Sequence, residues 1–158
     1  MSEPLKAEVF VLNYNGEGLL KECLPSIVEA ARKSKNSCSV TVIDNDSVDG
    51  SVEMLRREFP SINVRLSKNL VLCSFNEAVR ESKAAIVLLL NNDLKVEPDF
   101  IDPLIDVFHG HRDAFLAAPE AWTFDVKKYE TNFSKMEFRQ GIVSTENCFP
   151  GNETRATV

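Results

Sequence analysis

The sequence predicts an α/β fold in which helices cover both faces of a mostly parallel sheet, giving three layers, α/β/α. Short apolar segments alternate along the chain with amphipathic helical segments. The apolar segments are continuous, which is typical of strands that are buried on both faces. The length of 158 residues and the hydrophobic content of 44% suit one globular domain over residues 1–158.

The first half of the chain contains two strand-and-helix units. Residues 7–13, AEVFVLN, predict a strand that ends in the turn YNG. Residues 18–34 follow as a helix with a one-sided apolar stripe, which Pro25 is expected to kink. Residues 39–44, SVTVID, predict the second strand, and residues 52–59 predict the second helix.

The same alternation continues through the next segments. Residues 62–67 predict the third strand, residues 74–82 a short helix and residues 84–93, AAIVLLLNND, the fourth strand. Pro98 is expected to open the next helix. The run VLLL predicts that the fourth strand is central and deeply buried. After about residue 118, alternating stretches indicate short strands or a hairpin.

Charge and hydropathy exclude several classes of protein. The net charge of -6 argues against a nucleic-acid-binding surface, because neutralising phosphates needs clustered Lys and Arg. The start, MSEPLKAEVF, lacks the pattern of a secretory signal, and no apolar run approaches the roughly 18 residues of a spanning helix. We therefore expect a cytoplasmic protein without a transmembrane segment. Peripheral association with the inner face of the membrane is left open.

Polar residues follow each of the four predicted strands. They occupy residues 13–16, 44–51, 67–69 and 91–93. Because the carboxyl ends of parallel strands gather at one edge of a sheet, we expect these turns to line one ligand site. The same residue types are also ordinary in turns and helix caps, and for residues 49–51 capping of the second helix is the favoured interpretation.

Two carboxylates at strand ends are the strongest candidates for function. Asp44 directly follows VTVI and can accept hydrogen bonds from a flat ligand at the sheet edge. Asp93 follows VLLL, where an acid costs desolvation unless a cation or ligand compensates. The oxygen-rich, sulfur-free surroundings favour Mg²⁺ or Mn²⁺ shared with substrate phosphates. The alternative interpretation is that NND merely forms a turn.

Four motifs follow one another along the chain: VFVLNYNG, VTVIDNDSVDGS, NLVLCSFNEAV and IVLLLNNDLKVEPDFI. In these motifs and their order, the chain resembles the inverting glycosyltransferases of family 2. The donor-binding half of those enzymes has the Rossmann-like GT-A fold, and the match extends over about residues 9–105. The resemblance implies transfer of a hexosyl or rhamnosyl group from a nucleoside-diphosphate sugar to a hydroxyl of a glycan or lipid-linked acceptor. It also implies a role in cell-surface polysaccharide biosynthesis.

The resemblance assigns the nucleotide to residues in three of the turns. The family's turn after the first strand and its acid after the second hold the base and ribose, which implies this role for Asn13, Asn15 and Asp44. Asn69 and Asn76 match the loop and helix start that line the nucleotide pocket. These five residues are the predicted contacts of the nucleoside.

The family's DXD motif aligns with Asn91, Asn92 and Asp93. The resemblance implies that Asp93 ligates the Mn²⁺ or Mg²⁺ that bridges the donor diphosphate, and that Asn91 or Asn92 lies near the ribose. Asn91 in place of an acid leaves one fewer charge for the metal. Val71 and Leu72 are bulkier than the Gly-rich segment common in the family, which affects the geometry expected of this loop.

Members of the family are usually longer than this chain, and their general base and acceptor site lie beyond the matched region. We therefore expect an amino-terminal, donor-binding portion whose acceptor half is missing and whose general base lies outside this chain. One alternative is a nucleotide-sugar-binding module without turnover. Another is a different α/β enzyme, such as a nucleotidyltransferase, but the sequence contains neither GxxxxGK[ST] nor GxGxxG.

Overall fold

A computed structural model describes residues 5–111, 113–125, 133–139 and 142–148, the last two ranges by their backbone. The chain divides into two compact units, Met1–Asp106 and Val107–Val158. One domain over the whole chain stays a prediction.

The alternation of strands and helices continues through residue 110. The elements are β1 (Lys6–Asn13), α1 (Glu17–Lys33), β2 (Ser37–Asp44), α2 (Ser51–Glu58), β3 (Asn63–Leu66), a 3₁₀ turn (Val71–Cys73), α3 (Ser74–Glu81), β4 (Ile86–Asn91) and α4 (Ile101–Gly110). The predicted strands and helices are confirmed, with small shifts of their ends. The prediction that Pro98 opens the fourth helix is wrong, because α4 begins at Ile101. Pro25 lies inside α1, which continues on both sides of it.

The four strands form one parallel sheet in the order β3-β2-β1-β4. In this register Val9 of β1 pairs with Val40 of β2 and with Leu88 of β4. The prediction that β4 is central is wrong for the sheet that the described residues form, where β4 is an edge strand. Leu88 and Leu90 of β4 are buried in the core, whereas Val87 is only partly buried and Leu89 is 48% exposed. Only one face of the apolar run is therefore fully buried.

Helices pack against both faces of the sheet, which confirms the predicted three layers. On one face, α1, α2 and α4 cover the strands, and Leu24, Leu55 and Ile105 of these helices are almost fully buried. On the other face, Phe75 and Ala78 of α3 pack against Phe10 and Ile43 of the sheet. Burial of these apolar side chains is the main stabilising contribution to the first unit.

The second unit contains a hairpin of two antiparallel strands, β5 (Phe133–Arg139) and β6 (Ile142–Cys148). The hairpin predicted after residue 118 is therefore confirmed. In the part of the chain that the structure describes, no helix combines the length and the apolar character that crossing a membrane requires.

Candidate functional site

The ends of the strands gather the predicted site residues at one edge of the sheet. Asn13, the last residue of β1, pairs with Asp44, the last residue of β2. On the other side of β1, Leu12 pairs with Asn91, the last residue of β4. Parallel strands in this register put the polar turns of three strands side by side, as expected for a ligand site of an open α/β sheet.

A row of hydrogen bonds crosses this edge through Asn13. The Asn13 side chain is fully buried, and its Nδ2 donates to Asp44 Oδ2 at 2.8 Å and to Ser47 Oγ at 3.2 Å. Its Oδ1 accepts from Asn92 Nδ2 at 2.7 Å. Asn13 therefore joins the ends of three strands, while its direct contact with a ligand stays a prediction.

Asp44 is buried with hydrogen-bond donors around its carboxylate. Its Oδ1 accepts the backbone N–H of Ser47 at 2.9 Å, and its Oδ2 accepts the Ser47 hydroxyl at 2.8 Å in addition to Asn13. These donors compensate the desolvation of a carboxylate that is only 1% exposed. Asp44 also lines a cavity of about 580 Å³ between the ends of β2 and β3, which we call the β2–β3 cavity.

The turn after β1 is fastened to the turn after β2 by Asn15. Its backbone N–H donates to Ser47 Oγ at 2.9 Å, and its Oδ1 accepts the backbone N–H of Val48 at 2.8 Å. Asn15 has a φ of 48° and Asp46 one of 63°. Asn and Asp enter this left-handed region more readily than other non-glycine residues. The residue types of the two turns thus permit the tight backbone that the site needs.

Asp49 hydrogen-bonds the starts of two helices, in agreement with the structural interpretation of residues 49–51. Its Oδ1 accepts the N–H and the hydroxyl of Ser51, the first residue of α2. Its Oδ2 accepts the N–H of Glu17, the first residue of α1, at 3.0 Å. Burial acts to raise the pKa of Asp49, but the hydrogen bonds from Ser51 and Glu17 outweigh it and hold that pKa below its ordinary value.

A second cavity, of about 400 Å³, lies between the ends of β1, β2 and β4 and the segment that follows β3. We call it the asparagine cavity, and it is lined by Leu12, Tyr14, Asn45, Asn69, Val71, Asn91 and Asn92. Three of the predicted nucleotide-binding residues are therefore together in one cavity. Asn76 lies apart from them, exposed on α3 and outside the lining of both cavities.

Asp93 is exposed in the turn after β4 and lines neither cavity. Burial raises the pKa of the Cys23 thiol on α1; the carboxylates of Glu22 and Asp93 raise it further, and Lys95 lowers it. Within the described ranges, no three His, Cys, Asp or Glu side chains are grouped closely enough to hold a metal ion. The groups at the end of β4 that could ligate a metal ion are therefore the carboxylate of Asp93 and the side-chain amides of Asn91 and Asn92.

Three residues of this edge were not predicted as residues of the ligand site. Tyr14 presents an exposed aromatic ring at the asparagine cavity. Ser47 connects three of the predicted residues, and Asn45 reaches across the cavity to the backbone of Val71. Each belongs to one of the predicted polar turns, but the turn sequences do not tell which members face a cavity and which face each other.

Comparison with known proteins places the chain among sugar transferases. The family described as Glycosyl transferase family 2 matches residues 8–151. No curated protein sequence matches the chain.

Solved structures agree with the family match. Mannosyltransferase PcManGT from Pyrobaculum calidifontis, in complex with GDP-Man and Mn²⁺, is 25% identical with a TM-score of 0.50, over 60% of this chain and 29% of that one. TarS 1-349 from S. aureus is 20% identical with a TM-score of 0.55, over 68% of this chain and 33% of that one. A TarS 1-349 structure with UDP-GlcNAc is similar to the same degree. The chain thus spans about a third of these proteins, and the predicted GT-A fold is confirmed.

Proposed function

This chain belongs to glycosyltransferase family 2, and on that premise we propose that it binds a nucleoside-diphosphate sugar at the carboxyl edge of its sheet. The observation that carries the proposal is the asparagine cavity, which is lined by residues from the ends of β1, β2 and β4 and from the segment that follows β3. Ligands of open α/β sheets bind at this edge, because the strand-to-helix turns converge there. The reaction we propose is transfer of the sugar to an acceptor hydroxyl, with inversion.

The nucleoside has suitable partners at this edge. The exposed ring of Tyr14 offers an apolar face on which a flat base can stack. Asn69, Asn91 and Asn92 add amide donors and acceptors around it. Such a mixture of one flat apolar surface with a few polar groups is typical of small-molecule sites.

Asn13 and Asp44 support the same site from beneath, and the exposed Asn15 lies beside them in the turn after β1. Asn13 and Asp44 are buried and hydrogen-bonded, so in this geometry they fix the positions of Asn92 and of the turn that carries Ser47. A rigid supporting layer favours binding, because the contacts do not have to be ordered when the ligand arrives. Direct contact of Asp44 with the base or ribose is proposed through the β2–β3 cavity, which it lines.

A divalent cation, Mn²⁺ or Mg²⁺, fits the donor set at the end of β4 when the ion is shared with substrate. Such ions are commonly held by one or two carboxylates together with substrate phosphates. Asp93 is the carboxylate we propose for this role, with Asn91 and Asn92 beside it. When bound, the ion would stabilise the negative charge of the departing nucleoside diphosphate.

Transfer with inversion also needs a general base for the acceptor hydroxyl. We assign none of the described carboxylates to this role. Glu137 and Glu146 belong to β5 and β6, and Glu153 lies outside the described residues. The acceptor we propose is a glycan or a lipid-linked glycan of cell-surface polysaccharide synthesis, met in the cytoplasm or at the inner face of the membrane.

A thermal-shift experiment tests the binding proposal. The protein is melted with UDP, GDP, UDP-GlcNAc and GDP-mannose, each with and without Mn²⁺. A ligand that binds only the folded state at 100 times its Kd stabilises it by about 2.7 kcal/mol, which is a shift of roughly 5–10 °C for a chain of this size. No shift with any of the four ligands would contradict the proposal.

Two variants, each of which lacks one exposed aromatic ring, test where the nucleotide binds. Tyr14→Ala is expected to reduce the shift strongly, whereas Phe115→Ala, which removes an exposed ring from the second unit, is expected to retain it. Equal shifts in both variants would place the ligand elsewhere. Release of free nucleoside diphosphate from the sugar donor, measured on the same protein, distinguishes an enzyme from a binding module without turnover.

A further inference from the structure

The β4–α4 loop, residues 92–100, connects the end of β4 to the start of α4 and forms no helix or strand of its own. Most of its residues are exposed, among them Asp93 and Lys95. Val96 and Phe100 are partly buried and pack against the hydrophobic core. A loop with so few buried side chains depends on specific hydrogen bonds to hold one conformation.

The hydroxyl of Ser26, on α1, binds the backbone of this loop. Its Oγ accepts the backbone N–H of Val96 at 3.1 Å and donates to the carbonyl of Cys23 at 2.7 Å. A serine hydroxyl has a single hydrogen to donate, so donation to Cys23 leaves its lone pairs for Val96. The backbone of α1 therefore fixes the orientation in which Ser26 accepts the hydrogen bond from the loop.

A second contact joins the preceding loop residue to the same face of α1. Lys95 Nζ lies 2.7 Å from Glu22 Oε1. Glu22 precedes Ser26 by four residues, so the two side chains are neighbours on the helix surface. The Lys95 and Glu22 side chains are 45% and 59% exposed, and an ion pair this exposed contributes little by itself. The hydrogen bond of Ser26 is therefore the stronger of the two attachments.

Asp93 lies between this attachment and another one. On its amino-terminal side, Asn92 Nδ2 donates to Asn13 Oδ1 at 2.7 Å. On its carboxyl-terminal side, Val96 is held by Ser26. A segment that is fixed on both sides has fewer conformations to lose when one of its side chains binds a ligand. The attachment to α1 thus prepares the backbone around Asp93 before any ligand arrives.

We propose that Ser26 is a positioning residue, whose hydrogen bond to Val96 holds the β4–α4 loop so that Asp93 stays at the carboxyl edge of the sheet. Ser26 acts through the loop backbone and touches no ligand itself. Without this bond, the loop must be ordered at the moment when the cation and the diphosphate bind. The proposal rests on the proposed function, because Asp93 is the metal ligand that Ser26 would position.

Two serine-to-alanine variants form a matched pair for the test. Ser26→Ala is expected to keep the fold, because alanine favours the helix. Ser82 has a hydroxyl of the same kind: it donates to Glu8 Oε2 at 2.8 Å and accepts the backbone N–H of Ala84 at 3.1 Å. Ser82 precedes β4 in the chain, whereas the β4–α4 loop follows it. Ser82→Ala therefore removes equivalent hydrogen bonds away from Asp93.

Calorimetry of UDP and GDP with and without Mn²⁺ gives the factor by which Mn²⁺ increases nucleotide affinity. For the nucleotide that the wild type binds more tightly, Ser26→Ala is expected to reduce this factor about tenfold, as is typical when a group that orients a metal ligand is removed. Its affinity without Mn²⁺ is expected to stay within about threefold of the wild type. Ser82→Ala is expected to retain both values. An equal reduction in the two variants would show a general loss of stability and overturn the proposal.

Two further variants separate the hydroxyl from the ion pair. Ser26→Thr restores a hydroxyl that can bond the helix backbone in the same way, and it is expected to recover the Mn²⁺ factor to within about threefold of the wild type. Glu22→Gln weakens only the contact with Lys95, and it is also expected to stay within about threefold. A tenfold loss in Glu22→Gln with none in Ser26→Ala would overturn the role of Ser26.

Hydrogen exchange of the ligand-free protein measures the attachment without metal or nucleotide. The Val96 amide is expected to exchange faster in Ser26→Ala than in the wild type, because its acceptor is lost. In Ser82→Ala and Ser26→Thr it is expected to exchange at close to the wild-type rate. Unchanged exchange of Val96 in Ser26→Ala would overturn the proposed attachment.

The outcomes separate this proposal from the proposed function. If the wild type binds neither nucleotide, or if Asp93→Asn retains the full effect of Mn²⁺, the proposed site fails and this proposal fails with it. If Asp93→Asn loses the effect of Mn²⁺ and Ser26→Ala retains it, only the role of Ser26 is overturned. A loss in Ser26→Ala that is equal with and without Mn²⁺ would also overturn that role.

Discussion

The amide of Asn13 lies hydrogen-bonded against the carboxylate of Asp44, with 2.8 Å between Nδ2 and Oδ2, at the ends of the two central strands. Both side chains are buried, at 0% and 1% exposure. A hydrogen bond to a buried charge is stronger than one between neutral groups. This pair is therefore expected to fix the geometry of the sheet edge.

Replacing Asn13 tests the stabilising role of this pair. Asn13→Ala leaves the Asp44 carboxylate without one of its donors and Asn92 without its acceptor, so the free energy of unfolding is expected to fall by about 2–4 kcal/mol. Urea denaturation measures the change. Asn76→Ala removes an exposed amide of the same type and is expected to change stability by less than about 0.5 kcal/mol. Equal stabilities of the two variants would contradict the structural role of Asn13.

Gly16 lies beside the hydrogen bond between Asn92 and Asn13, where a side chain would disrupt that bond. A Cβ at this position would clash with Asn92 Nδ2 and lie 2.6 Å from Asn13 Oδ1. Gly16→Ala is therefore expected to destabilise the protein by about 1–3 kcal/mol and to weaken nucleotide binding. Gly18→Ala is the matched control, because a Cβ there has no atom within 4 Å and Ala favours the helix by about 0.5–1 kcal/mol. Thermal unfolding in which both variants gain stability would contradict the close contact.

Asp49 is expected to make stability depend on acid pH. Its pKa is lowered in the folded state by hydrogen bonds from Ser51 and Glu17, which outweigh the opposite effect of burial. A lowered folded pKa gives stability that is present above the unfolded pKa and is lost as the pH falls through the folded value. Asp49→Asn should therefore be less stable than the wild type at pH 7, with the difference shrinking below about pH 4.

Urea unfolding of the wild type and Asp49→Asn at pH 7 and pH 3 gives this comparison. Glu120→Gln, which neutralises an exposed carboxylate of the second unit, serves as the control for a loss of one negative charge. A difference between wild type and Asp49→Asn that is the same at both pH values would show that the charge of Asp49 does not contribute to the hydrogen bonds at the two helix starts.

Asp93 is expected to control the metal dependence of donor binding. If the cation is shared between this carboxylate and the diphosphate, Asp93→Asn should abolish most of the gain in nucleotide affinity that Mn²⁺ confers. Calorimetry with the nucleoside diphosphate, with and without Mn²⁺, measures this gain. Asp99→Asn, which changes another exposed carboxylate of the same loop, should retain it. An Asp93→Asn protein with the full effect of Mn²⁺ would rule out the proposed ligand.

The hydrophobic pattern was enough to predict the order of strands and helices through α4 and the hairpin of β5 and β6. Continuous apolar runs such as VTVI and polar turns such as NYNG are local features, and local periodicity decides whether a segment becomes a strand, a helix or a turn. The family resemblance could be recognised from the same turns, because the order and spacing of the four motifs are properties of the sequence alone. The parallel sheet then required the polar turns to meet at one edge.

Only the tertiary structure decided what each residue of those turns does. Asn13 and Asn15 belong to one turn, yet one is buried beneath the edge and the other is exposed. The sequence also did not predict that β4 lies at the edge of the described sheet, or that the Asn45 side chain donates a hydrogen bond to the carbonyl of Val71. Strand pairing and side-chain hydrogen bonds join residues that are distant in sequence. The chain therefore specifies which polar groups reach the edge, while the packing of strands decides which of them face a ligand.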